Sequence, residues 1–201
     1  MTCIVAFVDD QGGIHFGSDS LGTDGHFSKV ISDPKIFQAG EFLFGYAGSF
    51  RLGQILEHIF IPPERLENQT TKQYLCTQFI DSLKTSLKIC GSLGTDDDNG
   101  DTDSFEGDFL VGYRGEIFIV QGDFAVLQVR DNHLAIGSGE ETATAVLLAT
   151  KELDLEPLER LQLALDTTDQ LIDSVGPPFH FLSMKKAKGK SLPVVTYEVM
   201  G

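Results

Sequence analysis

The chain of 201 residues carries 15 Lys plus Arg against 30 Asp plus Glu, a formal net charge of -15. Such acidity argues against a phosphate-backbone binder, which needs a basic face, and against adhesion to an anionic membrane. With 41% hydrophobic residues and 21 glycines, the composition is globular and the length fits one sizeable domain, read over 1–201.

No apolar run approaches the ~18 residues of a membrane span, and the N-terminus lacks the basic segment and apolar core of a signal peptide. Three cysteines, Cys3, Cys76 and Cys90, form neither a metal-spaced cluster nor an even disulfide set. A reducing, cytoplasmic setting is expected, with Cys76 and Cys90 as small buried thiols on a helix. The histidines show no zinc spacing, and no metal or other cofactor is expected.

In chain order, Thr2 to Val8 is apolar and β-branched, Asp9 to Gly13 supplies turn chemistry, and Ile14 to Ser18 resumes a strand. This predicts a hairpin. Lys35 to Phe37 and Phe42 to Ala47 form a second strand pair around Ala39-Gly40-Glu41. Helical stripes follow: Leu52, Ile55, Leu56 and Ile59 within Phe50 to Phe60, then Leu75, Phe79, Leu83 and Leu87 within Thr70 to Ile89. Pro62-Pro63 separates them.

Beyond an acidic stretch, strands are expected at Phe109 to Tyr113, Glu116 to Val120, Phe124 to Val129 and His133 to Ile136. Gly137-Ser138-Gly139 leads into a helix with Ala143, Val146, Leu147 and Leu153 periodic. Glu156-Pro157 opens another with Leu158, Leu161, Leu165, Thr168 and Ile172. Phe179 to Met184 and Pro193 to Val199 read as closing strands. Strand blocks separated by helix pairs imply an α+β fold, a four-layer αββα sandwich of two stacked antiparallel sheets.

Thr2 is the first residue with chemistry to offer. A threonine hydroxyl is a poor nucleophile until a base takes its proton, and at a free N-terminus the residue's own α-amine, with an ordinary pKa of about 7.7 to 8.0, can do so. Removal of Met1 is the precondition; threonine is small enough for an aminopeptidase to allow it. Alone, a Met-Thr start is weak, since ordinary proteins begin that way.

The stretches Thr2-Cys3-Ile4-Val5-Ala6, Phe16-Gly17-Ser18-Asp19-Ser20, Lys35-Ile36, Gly45-Tyr46-Ala47-Gly48-Ser49 and Ala135-Ile136-Gly137-Ser138-Gly139 occur in that order. Together they resemble the proteasome β-subunit superfamily of N-terminal nucleophile hydrolases, and most nearly its bacterial HslV-type peptidases. The resemblance implies a threonine peptidase that forms an acyl-enzyme on Thr2. It also implies a homo-oligomeric ring, a peptide or unfolded protein as substrate, and an ATP-dependent unfoldase as partner. An acylase or amidase on the same fold, or a catalytically silent assembly protein, are the alternatives.

Residue by residue, the resemblance makes Lys35 the catalytic lysine and Asp19 the acid that orients it. An ammonium beside Thr2 disfavours a protonated α-amine and favours an ionised hydroxyl. By themselves, Asp19 also reads as a turn residue and Lys35 as a surface lysine. Lys29 lies six residues earlier, but Lys35 alone heads an apolar strand. The resemblance further makes Gly48 the oxyanion-binding backbone N–H and Ser138 a hydroxyl near the nucleophile's amine, although Ser138 also suits a helix cap. Asp173 is the choice for a late acid, with Asp169 as competitor; the turn through Ser174-Val175-Gly176-Pro177-Pro178 departs from the family pattern.

Tyr46 and Phe50 flank Gly48. They read either as core or as walls of the pocket for the residue before the scissile bond, in the latter case implying apolar or small side chains there. In the acidic stretch, Thr95, Asp97, Asn99, Gly100 and Glu106 fall at EF-hand positions. Threonine replaces aspartate at the first and strands follow, so a solvated loop is expected and calcium stays an open alternative.

Overall fold

The computed structural model describes residues 2–23, 28–95, 103–185 and 195–199. In chain order the strands are β1 Cys3–Val8, β2 Ile14–Ser18, β3 Leu21–Thr23, β4 Ser28–Val30, β5 Ile36–Ala39 and β6 Phe42–Gly48. Helix α1 Phe50–His58, α2 Thr71–Tyr74, a π turn Leu75–Phe79 and α3 Ile80–Ile89 follow. Next come β7 Gly94–Thr95, β8 Asp103–Ser104, β9 Gly107–Tyr113, β10 Glu116–Val120, β11 Val126–Leu127 and β12 His133–Gly137. Helices α4 Glu140–Ala149 and α5 Pro157–Asp169 lead to β13 Phe179–Met184 and β14 Val195–Val199.

One antiparallel sheet has the order β12-β1-β2-β13-β14 and the other β11-β10-β9-β6-β5. Alternate side chains serve different layers. Ile4 and Ala6 of β1 meet Leu43 and Ala47 of β6 and Leu110 of β9 between the sheets. Cys3, Val5 and Phe7 face the other way, onto Ala143 and Leu147 of α4 and Leu161, Ala164 and Leu165 of α5. On the outer side of the second sheet, Phe42, Phe44, Tyr46, Phe109 and Val111 meet Leu52, Ile55, Phe79 and Leu83 of the other helices. The expected αββα layering is therefore present, and burial on both faces explains why these strands read as continuous apolar runs instead of alternating ones.

Several boundaries differ from the sequence reading. The stretch Thr70 to Ile89 is not one regular helix, because the π turn sits within it. A capping box between Thr70 and Gln73 starts it. Cys76, next to the buried Leu75, is exposed, and Cys90 is half-buried, so neither is the buried thiol expected. The expected strand Phe124 to Val129 shrinks to β11, because Phe124 turns back at φ 67° with its N–H donating to the Gln121 carbonyl. Helix α4 stops at Ala149, leaving Leu153 beyond it and exposed. The hairpin of β3 and β4 was too short to show as a pattern. Pro193 at the start of the last expected strand lies outside the described residues, as do 96–102 of the acidic stretch. Among the described residues no three His, Cys, Asp or Glu side chains are grouped to hold a metal ion. No helix among them is long and apolar enough to cross a membrane.

At the far end of β1 from Thr2, the β1–β2 turn is fixed by Asp9. Its Oδ1 accepts the N–H groups of Gln11 and Gly13 at 2.8 and 2.7 Å, and Oδ2 contacts His15 Nε2 at 2.9 Å. Partial burial alone would raise the Asp9 carboxyl, but the hydrogen bonds from His15 and the Gly13 N–H outweigh it and hold the group below its ordinary value. A depressed carboxyl contributes stability that is present above its unfolded pKa and lost as pH falls through the folded one. The wild type will therefore lose more stability than Asp9→Asn between about pH 5 and pH 3, measured by urea unfolding midpoints.

Candidate active site

The site is assembled where β1 begins. Thr2 is buried, at 4% exposure, and its carbonyl lies against the β12 end. Gly137, opposite Cys3 in the register, has φ 95°, and a Cβ there would sit 2.2 Å from the Thr2 oxygen. Only glycine accepts that backbone and that approach. The adjoining Ser138 Oγ donates to the Thr2 carbonyl at 3.2 Å and shares a 3.0 Å hydrogen bond with Ser174 Oγ.

Asp19 follows directly on β2, whose pairing with β1 sets Ser18 opposite Ile4. Its Oδ1 accepts the Cys3 N–H at 2.9 Å and the Lys35 ammonium at 2.8 Å, while Oδ2 accepts the Leu21 N–H at 3.0 Å. Lys35 Nζ also donates to the Leu21 carbonyl at 2.7 Å. The Tyr46 N–H donates to the Lys35 carbonyl, which ties the lysine's backbone to β6. Both side chains are sealed from solvent, at 1% exposure for Lys35 and 0% for Asp19. Neither is the surface residue that its isolated position allowed. Burial pushes the Asp19 carboxyl up and the Lys35 ammonium down, with their mutual attraction opposing both shifts. The Cys3 thiol, buried first and then set near Asp19, is pushed up to about 12, so it stays protonated and inert.

Gly48 ends β6 at φ 102°, paired with Gly107. A Cβ there would lie 2.7 Å from the Gly107 Cα, so two backbones meet where a side chain cannot. The Gly48 peptide stands near the same corner, since a Cβ on Gly137 would touch the Ala47 Cβ at 3.3 Å.

Tyr46 is a core residue, one of the two readings the sequence allowed. Its ring belongs to the core between sheet and helices, where Gly53 leaves room for it, and it also lines a pocket of about 290 Å³ with Phe50. The two rings meet edge to face, centroids 6.4 Å apart.

The late acid is not drawn in. Asp173 is exposed and makes no hydrogen bond or ion pair among the described residues, and Asp169 is exposed as well. Ser174, set aside in the sequence because its turn departs from the family pattern, is the residue that reaches Ser138. Ser20 explains how: its N–H donates to the Gly176 carbonyl and its hydroxyl to the Pro178 carbonyl at 2.5 Å, which clamps the turn beside Asp19. The signal was the serine next to the Val-Gly-Pro-Pro turn, legible only as a departure from a Ser-Gly pair.

No family model and no curated protein sequence matches the chain. Solved structures do. The BPH protein of Thiobacillus denitrificans, in complex with epoxomicin, superposes with a TM-score of 0.75 at 21% identity, over 92% of this chain and 99% of that one. Eukaryotic HslV of Trypanosoma brucei gives 0.64 at 17% identity, over 92% and 99%. Anbu of Pseudomonas aeruginosa, solved as a helical assembly, gives 0.67 at 16% identity, over 100% and 87%. The chain therefore has the proteasome-type β-subunit fold shared by HslV and Anbu, as its ordered motifs implied.

Proposed function

We propose that the chain is a threonine-type peptidase whose nucleophile is the Thr2 hydroxyl, made N-terminal by removal of Met1. The buried Lys35–Asp19 pair carries this reading: the carboxylate oxygen that holds the lysine at 2.8 Å also holds the Cys3 N–H at 2.9 Å. A cation built into the start of β1 favours an unprotonated α-amine and an ionised hydroxyl. The amine takes the hydroxyl proton as the oxygen attacks the peptide carbonyl carbon. The Gly48 N–H stabilises the oxyanion, and the proton passes to the departing amine nitrogen. Water activated by the α-amine then hydrolyses the ester. Ser138 and Ser174 position the Thr2 backbone.

A silent assembly role gives no reason for the pair, because burying two charges carries a desolvation cost that apolar residues avoid. Assembly into a ring with copies of itself is part of the proposal; Leu148 and Leu163, 40% and 42% exposed on α4 and α5, are apolar surface for such contacts to cover.

Intact mass of the natively expressed protein, before and after treatment with a peptide epoxyketone, tests the reading. Loss of one methionine and addition of one whole inhibitor at Thr2 are expected. Retained Met1 throughout, with no adduct, would overturn it.

A further inference from the structure

We propose that the pocket beside Gly48 selects a long cationic side chain, lysine or arginine, in the substrate residue preceding the scissile bond. The inference rests on the peptidase reading and adds its substrate class. Tyr46 and Phe50 alone implied an apolar or small residue there; the charges around them change that.

The pocket follows α1 from Phe50 and Arg51 in its first turn to Glu57 and His58 in its last. At 1.5 Å per residue the two ends lie about 10 Å apart, a length suited to an extended side chain. Its aromatic wall takes the methylene stem of a lysine or arginine and presents ring faces to the cation. Asp33, two residues before Lys35, and Glu57 both line it. The Tyr46 hydroxyl registers the sign of the field: burial first, then Glu57 and Asp33, push it up to about 12. It stays a neutral phenol whose oxygen accepts a hydrogen bond from an ammonium or guanidinium.

Arg51 is the opposing charge. It sits at the Gly48 end and makes no salt bridge among the described residues, while His58 stands 3.6 Å from Glu57. Two carboxylates against one guanidinium leave the pocket net acidic. The chain's charge of -15 draws basic segments towards it in addition.

Three fluorogenic peptide amides that differ only in their last residue, Arg, Leu or Glu, decide the question on the full processed protein. The Arg peptide is expected to exceed the Leu peptide in kcat/KM by up to roughly fivefold, the scale of one partly exposed charge pair, with Glu poorest. Glu57→Gln should lower the Arg-to-Leu ratio towards one, and Glu57→Lys should turn the preference from Arg to Glu. Glu57 is a surface residue, 40% exposed, so both variants keep the fold. Leu or Glu at least equal to Arg in the wild type, or a ratio indifferent to Glu57→Gln, overturns the selectivity and leaves the peptidase standing. Turnover of none of the three, with no epoxyketone adduct on Thr2, overturns both.

Discussion

Thr2→Ala will give a folded protein that hydrolyses no peptide and takes up no epoxyketone. On the proposed mechanism the variant deletes the atom that forms the acyl ester, and loss of a covalent nucleophile lowers turnover by about 10³-fold or more. What it leaves intact is equally informative. Two contacts at the strand start run through backbone atoms, the Thr2 carbonyl to Ser138 and the Cys3 N–H to Asp19, and alanine retains them. Circular dichroism and the thermal midpoint should therefore stay close to wild type while activity disappears. Thr2→Ser keeps a hydroxyl and an α-amine and should retain measurable turnover and labelling. The epoxyketone adds a further discrimination: its ketone carbon accepts the hydroxyl oxygen and its epoxide carbon the α-amine nitrogen, closing a ring without loss of any group. Only a residue with both groups free can do this, so a variant that blocks Met1 removal should behave like Thr2→Ala. Activity or full labelling in Thr2→Ala would place the nucleophile elsewhere.

The layers and most of the candidate site were legible in the sequence for different reasons. The sandwich showed because each strand alternates between two cores, so Cys3 to Phe7 or Phe42 to Ala47 appear as unbroken apolar runs next to helical stripes. Asp19, Lys35, Gly48 and Ser138 showed through the order of short motifs, and the geometry gathers Asp19 and Ser138 by hydrogen bonds on the backbone of Cys3 and Thr2, with Lys35 joined through the Asp19 carboxylate. The late turn did not show. Which side chain of Asp173-Ser174 points inward depends on the clamp from Ser20 to Gly176 and Pro178, a contact across more than 150 residues of chain that no local pattern records. The π turn and the conformation of Phe124 escaped for a related reason, since periodicity reports which residues are apolar and not where the backbone changes pitch.

Breaking the Lys35–Asp19 pair from one side will cost far more stability than removing it whole. Both side chains are sealed from water, so Asp19→Asn strands an ammonium and Lys35→Met strands a carboxylate, each a loss of roughly 3–5 kcal/mol. The double variant removes both charges and should lose far less than the sum of the single losses in a double-mutant cycle, measured by urea unfolding. All three should lack peptidase activity, which separates the catalytic use of the pair from its packing. The sign of the pH dependence adds a check. In Asp19→Asn the lysine loses the attraction that opposes its desolvation, so its folded pKa falls further below the unfolded one. The unfolded chain then binds more protons, and the variant should gain stability as pH rises from neutral towards the ordinary lysine range. Lys35→Met reverses the dependence: its stranded carboxylate prefers the protonated form, with a folded pKa raised above the unfolded one, and stability is recovered as pH falls. Additive losses, with the double variant losing the sum of the two singles, or pH profiles of the same slope in both singles, would show that the two side chains do not act as a buried ion pair.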